Sequence, residues 1–102
     1  MTFFDFNNSY PMFYTYVLYS KKFDKIYIGY TSNIEDRYKS HNELATKGYT
    51  IRFRPWKIAF YESFETKKEA MKREKQLKSS RGRQSIRDKI KQLGLISVNW
   101  RT

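Results

Sequence analysis

KIYIGYTSNIEDRYKSH, Lys25 to His41, changes its period halfway along. Lys25–Tyr30 alternates, with Ile26, Ile28 and Tyr30 on one side and Tyr27 and Gly29 on the other, as a strand requires. Ser32 and Glu35 then have the S-x-x-E spacing of a capping box. Ile34, Tyr38 and His41 follow near one face of a helix, with Arg37 and His41 four apart and adjacent. The helix should run to about Leu44, because TKGYTIRFRP breaks the pattern with Gly48 and Pro55. Three tyrosines, an arginine and the chain's one histidine share this short stretch. Packing rarely needs that mixture, whereas a phosphodiester would use it.

The flanks build outward from there. FYTYVLYS (Phe13–Ser20) is aromatic and β-branched and reads as a strand. The four-residue KKFD connection makes it an antiparallel hairpin with Lys25–Tyr30. WKIAFYESF (Trp56–Phe64) is a third strand. Thr66 and Glu69 repeat the capping-box spacing and open a helix of strong formers, KKEAMKREKQLKS. Gly82 interrupts, and a last helix from about Gln84 to Leu93 ends at Gly94, a natural residue to follow a helix. The order β-β-α-β-α-α predicts an α+β fold, a small antiparallel sheet with helices packed on it. Residues 1–12 read as an extension, 13–94 as one domain, and 95–102 as a tail tied down by Trp100.

Composition narrows the partner. The chain has 102 residues and a formal charge of +11. Self-repulsion of that size opposes a compact state, so the excess points to a polyanion. Residues 64–92 hold eleven Lys or Arg against four acids. KSSRGR places Lys78, Arg81 and Arg83 just past the second helix, where they would meet a nucleic-acid backbone without reading its bases. Aromatic residues make up 19%, enough to build a core from few side chains. With no cysteine, disulfides and thiolate metal sites are excluded, which fits a reducing, cytoplasmic setting. No apolar run approaches the roughly 18 residues of a membrane span, and MTFFDFNNSYPMF does not read as a signal peptide.

Glu74 is the anomaly of the second helix. It falls between Ala70, Met71 and Leu77 on the expected inward stripe, where a carboxylate is costly unless a cation meets it. Either a nearby Lys or Arg pairs with it, or the helix is rotated enough to expose it, or it holds one Mg²⁺ or Mn²⁺ ion, which favours oxygen ligands. Tyr16 and Tyr27 lie close across the hairpin, as core aromatics or as two phenols aimed at one place. Gly29 marks either a bulge or a close approach by a ligand or another backbone. Arg37, with its planar fork, suits a phosphate.

Taken together, YTY (Tyr14–Tyr16), YIG (Tyr27–Gly29), Arg37 ten residues after Tyr27, His41 four later, and Glu74 in EAMKREKQLK resemble the GIY-YIG nuclease family. The resemblance runs from about Phe13 to Arg83 and is nearest to the small single-domain bacterial members. It implies a three-stranded antiparallel sheet flanked by helices and cleavage of phosphodiester bonds with one Mg²⁺ or Mn²⁺. On that pattern Tyr16 and Tyr27 are the motif tyrosines, one of which helps deprotonate the attacking water. Arg37 stabilises the transition state, His41 stands near the nucleophile and Glu74 holds the metal. The implied partner is nucleic acid, DNA foremost, cut with structure preference or weak specificity in repair or recombination, with any targeting protein unspecified. YTY lacks the Gly and Ile that name the family. Several members place an Asn shortly after the metal helix; KSSRGRQSIRDK holds none, leaving that role to Lys78, Gln84 or nothing. The alternative is a non-catalytic nucleic-acid-binding module on the same scaffold.

Overall fold

A computed structural model describes residues 12–95; the extension before Met12 and the tail with Trp100 lie outside the described residues. Strands β1 (Phe13–Ser20), β2 (Lys25–Thr31) and β3 (Lys57–Phe64) form one sheet in the order β2-β1-β3, all pairs antiparallel. The hairpin register sets Tyr16 against Gly29 and Leu18 against Tyr27. Asp24 turns the hairpin with a positive φ of 54°, a conformation Asp tolerates better than most residues. Its carboxylate accepts from Tyr19 Oη at 2.9 Å and from Arg87 Nη1 at 2.7 Å.

Strand alternation gives the sheet two buried faces. Val17, Tyr19, Ile26 and Ile28 pack with Leu77, Ile86 and Ile90 from helices α2 (Lys67–Lys78) and α3 (Ser80–Gln92). Tyr16 and Leu18 face the other way, onto Trp56, with Tyr27, Tyr38, Phe53 and Ile58 around them. Helix α1 (Ile34–Lys39) and a wider π-helical turn (Ser40–Leu44) follow β2, and a 3₁₀ turn (Tyr49–Phe53) precedes β3.

The structure corrects several boundaries. The cap of α1 is Asn33, whose side chain accepts from Asp36 N, rather than Ser32; Asn caps as well as Ser, and Thr31 Oγ1 already receives the Asn33 N–H. The Thr66–Glu69 capping box is present in full. Gly82 does not interrupt a helix. It lies in the first turn of α3, where a Cβ would fall 2.3 Å from the Gln76 carbonyl oxygen. Its smallness lets α3 start immediately after α2, with Ser79 capping the α3 N-terminus. Gly94 has φ 74° just beyond the last helix, as expected of its position.

Candidate active site

Tyr16 is opposite Gly29, and its ring lies across β2 in the space a side chain would fill. A Cβ on Gly29 would stand 2.6 Å from the Tyr16 hydroxyl oxygen. The glycine therefore marks a close approach, made by Tyr16 itself. Having crossed β2, the Tyr16 hydroxyl meets Nε2 of His41 at 2.8 Å. Nδ1 of His41 meets Thr50 Oγ1 at 3.0 Å. All three residues are buried. Burial, with help from the Arg37 and Arg54 charges, pushes the His41 pKa down to about 4. At neutral pH the ring is uncharged, with one N–H and one bare nitrogen, so it donates one of these two bonds and accepts the other.

The turn that carries His41 is fixed from outside. Arg54 donates from Nε to the His41 carbonyl and from Nη2 to the carbonyls of Ser40 (3.2 Å) and Ala45 (2.9 Å). Asn42 and Trp56 exchange two bonds, Nδ2 to Trp56 O at 2.9 Å and Trp56 N to Oδ1 at 2.7 Å. Trp56 Nε1 then donates to Thr50 O at 2.7 Å, holding the 3₁₀ turn beneath the histidine.

The two tyrosines differ. Burial raises the Tyr16 phenol to about 12, with Arg37 pulling it partly back and the Tyr27 and Glu74 charges adding to the rise. Tyr27 is only half-buried; its ring lies 4.7 Å from that of His41 and 6.3 Å from that of Tyr16. Arg37 is exposed on α1, and its guanidinium lies beside both phenols. The Tyr16 hydroxyl foremost, with Tyr27, holds it above the ordinary arginine value. The spacing placed Arg37 and His41 side by side; in the structure one faces solvent and the other is buried, where the helix widens into its π turn.

Glu74 is positioned through its helix. Thr15 Oγ1 on β1 donates to the Ala70 carbonyl at 2.7 Å in a buried bond, one turn before Glu74. Arg73 adds a two-pronged contact to Glu62 of β3, 2.7 and 3.2 Å long. Ala70 and Leu77 are buried as the expected stripe requires, but Met71 is 41% exposed, so the stripe is narrower than predicted. The Glu74 side chain keeps 19% of its exposure and pairs with Lys78 at 3.3 Å. This is the ion pair that was one of the readings. The carboxylate is nonetheless near enough for its charge to be felt at Tyr16. The donor set fits a hard cation, which takes one or two carboxylates and completes its shell with water and phosphate. It does not fit a cage of protein ligands, since no group of three or more His, Cys, Asp or Glu converges among the described residues.

Of the basic trio, Lys78 contacts Glu74, Arg83 donates from Nε to the Lys78 carbonyl at 3.2 Å, and Arg81 is exposed. Gln84 is bonded to Asp88 at 3.1 Å, which leaves Lys78 as the nearer neighbour of Glu74. A cleft of about 370 Å³ lined by Tyr14, Ser32, Asn33, Ile34, Glu35 and Tyr61 contains none of the candidate residues. Thr50, Arg54, Asn42 and Trp56 were not foreseen; no spacing ties Thr50 to His41, and only the turn brings them together.

Two phenols and an imidazole thus gather beside the hairpin, with a carboxylate from a later helix within electrostatic reach. The model of the GIY-YIG catalytic domain matches residues 12–87, and the chain belongs to that family. It is similar to a UPF0213 protein of Bacillus velezensis, 42% identical over 69 residues, covering 65% of this chain and 70% of that one. It is also similar to a UPF0213 protein of Staphylococcus haemolyticus, 35% identical over 74 residues, covering 72% and 89%. Among solved structures, the solution structure of a UPF0213 protein from Bacillus halodurans is 28% identical, with a TM-score of 0.46 and coverage of 76% and 83%. No helix among the described residues is long and apolar enough to cross a membrane.

Proposed function

We propose that this protein is a divalent-metal-dependent endonuclease that hydrolyses phosphodiester bonds in DNA, acting in the cytoplasm. The observation that supports the reading is the gathering of Tyr16, Tyr27 and His41, with ring centroids 4.7 to 6.3 Å apart, where the charge of the exposed Arg37 is felt at Tyr16. Tyr27 is assigned as the general base. Tyr16 is buried, raised to about 12 and occupied by His41, so it resists ionisation at neutral pH. Tyr27 is only half-buried, open to the attacking water where buried Tyr16 is closed, and acts from its phenolate form. Tyr27 takes the proton of the attacking water as its oxygen bonds to phosphorus, and the P–O bond on the far side breaks. Arg37 meets the charge that grows on the phosphoryl oxygens. Tyr16 and His41 position these groups: their bond locks the Tyr16 ring, which in turn borders Arg37 and Tyr27. Glu74 would hold one Mg²⁺ or Mn²⁺ ion, whose chemistry when bound is to polarise the phosphate and favour departure of the leaving oxygen. Lys78, Arg81 and Arg83 at the α2–α3 junction supply sequence-independent backbone contacts.

The ion pair between Glu74 and Lys78 favours a second reading, a binding module whose carboxylate is already partnered. Labelled duplex, flapped, branched and single-stranded DNA and RNA, incubated with the full chain in Mn²⁺ or in EDTA, separate the two. Metal-dependent turnover on at least one substrate supports the endonuclease. Salt-sensitive binding without turnover on any of them supports the binding module.

A further inference from the structure

The catalytic face continues into a strip of rings that the hydrolytic chemistry does not use. From Tyr27 the strip passes to Tyr49, whose ring stacks on it with centroids 6.4 Å apart and planes 28° from parallel. Phe53 follows at 4.8 Å from Tyr49, and Phe23 in the hairpin turn at 5.5 Å from Phe53. Both ends of this extension are open to solvent, Tyr49 at 46% and Phe23 at 40% exposure. Phe53 between them is half-buried against the Trp56 cluster, but core packing does not account for the exposure of Tyr49 and Phe23.

Cations border the strip. Lys25 and Arg52 stand 5.5 and 5.4 Å from the Phe53 ring, and Lys22 stands 5.4 Å from Phe23. None of the three takes part in an ion pair among the described residues. The nearby acid, Asp24, is engaged by Arg87 and Tyr19. Exposed rings with interleaved positive charge suit a ligand that carries flat π surfaces on a polyanionic backbone. In a duplex the base faces are hidden against one another, so only an unpaired strand can offer them.

We propose that Tyr49, Phe53 and Phe23 form a stacking platform for unpaired nucleobases, with Lys22, Lys25 and Arg52 holding the intervening phosphates, so that the strand to be cut is single-stranded on this side of Tyr27. The position of the cut rests on the nuclease reading above; the binding does not. The test is therefore made on the full chain in EDTA, where nothing is cleaved. Fluorescence anisotropy reads the affinity for a labelled oligodeoxyuridylate, an oligouridylate of equal length, and a blunt DNA duplex; the tighter of the two single strands identifies the sugar. Expected is tighter binding of a single strand than of the duplex. Tyr49→Ala and Phe23→Ala should each weaken single-strand binding by about tenfold and leave duplex binding unchanged, while Tyr49→Trp retains it. Should Tyr49→Ala fail to fold, because Tyr49 packs on Tyr27 and Trp56, Phe23→Ala at the hairpin turn gives the answer alone. Equal losses on single strand and duplex, or no loss on either, would overturn the platform. Metal-dependent cleavage unaffected by these rings would leave the endonuclease standing without it. Ring-dependent binding with no cleavage would do the reverse.

Discussion

Gly29→Ala perturbs the site without touching a reactive group. The new Cβ would lie 2.6 Å from the Tyr16 hydroxyl oxygen and 2.8 Å from Cζ, where ordinary contact begins at 3.4 Å. The hydroxyl must retreat by about 0.8 Å. Tyr16 is 3% exposed and packs with Leu18 and Trp56, so the ring has little room to yield. Taken along the bond to His41, a retreat of that size carries it from 2.8 Å beyond hydrogen-bonding range. Either the crowding persists, at about 1–3 kcal/mol, or it relaxes and leaves a buried ring nitrogen unpartnered, at about 1–3 kcal/mol. The two costs are alternatives, so the expected loss is about 2 kcal/mol, or roughly 10 °C in Tm for a domain this small. Backbone propensity argues the opposite way, since alanine in a strand is ordinarily favoured over glycine by about 0.5–1 kcal/mol. Thermal melting followed by circular dichroism reads the sign directly. Tyr16→Phe removes the nearest atom, so adding it to Gly29→Ala should destabilise by less than the two single changes summed. A Gly29→Ala protein as stable as wild type, or additive with Tyr16→Phe, would refute the close approach.

Two further outcomes follow from the same geometry. His41 has its folded pKa near 4 against 6.5 when free, so below pH 6.5 the unfolded chain binds the extra proton and stability falls as pH drops toward 4. Between pH 7 and 5 this amounts to about 2 kcal/mol, to be read as the difference in urea unfolding between wild type and His41→Gln; equal pH slopes would remove His41 from the explanation. In single-turnover cleavage, Tyr27→Phe should lower the chemical rate with little change in substrate affinity, whereas Tyr16→Phe should also lower Tm, because it leaves the His41 nitrogen unbonded. Matching rate and stability losses in both variants would mean the two phenols are not divided between base and positioning.

Much of the fold was legible because short-range rules decided it. The hairpin was written in alternating residues around a four-residue connection, and the α2 start in Thr66 and Glu69. The last helix was misjudged because Gly82 has a packing reason, the closeness of the Gln76 carbonyl, that propensity does not encode. At the site, Tyr16, Tyr27, Arg37, His41 and Glu74 were named from motif spacing, and the structure brings Tyr16, Tyr27 and His41 together, with Arg37 and Glu74 within electrostatic reach. What spacing did not carry was the difference between the tyrosines, which arises from burial. Nor did it carry the support from Thr50, Arg54 and Trp56, which depends on where an irregular segment returns to the π turn. The stacking rings were hidden for the same reason, since Phe23 and Tyr49 belong to separate loops.

The most direct measurement is Mn²⁺-dependent cleavage by Glu74→Ala beside wild type, with melting recorded on the same preparations. Alanine is a good helix former and the lost partner is a half-exposed lysine, so the variant should melt within about 1 kcal/mol of wild type. Loss of cleavage in that folded protein is the expected result; cleavage at the wild-type rate would contradict a metal-dependent site built on this carboxylate.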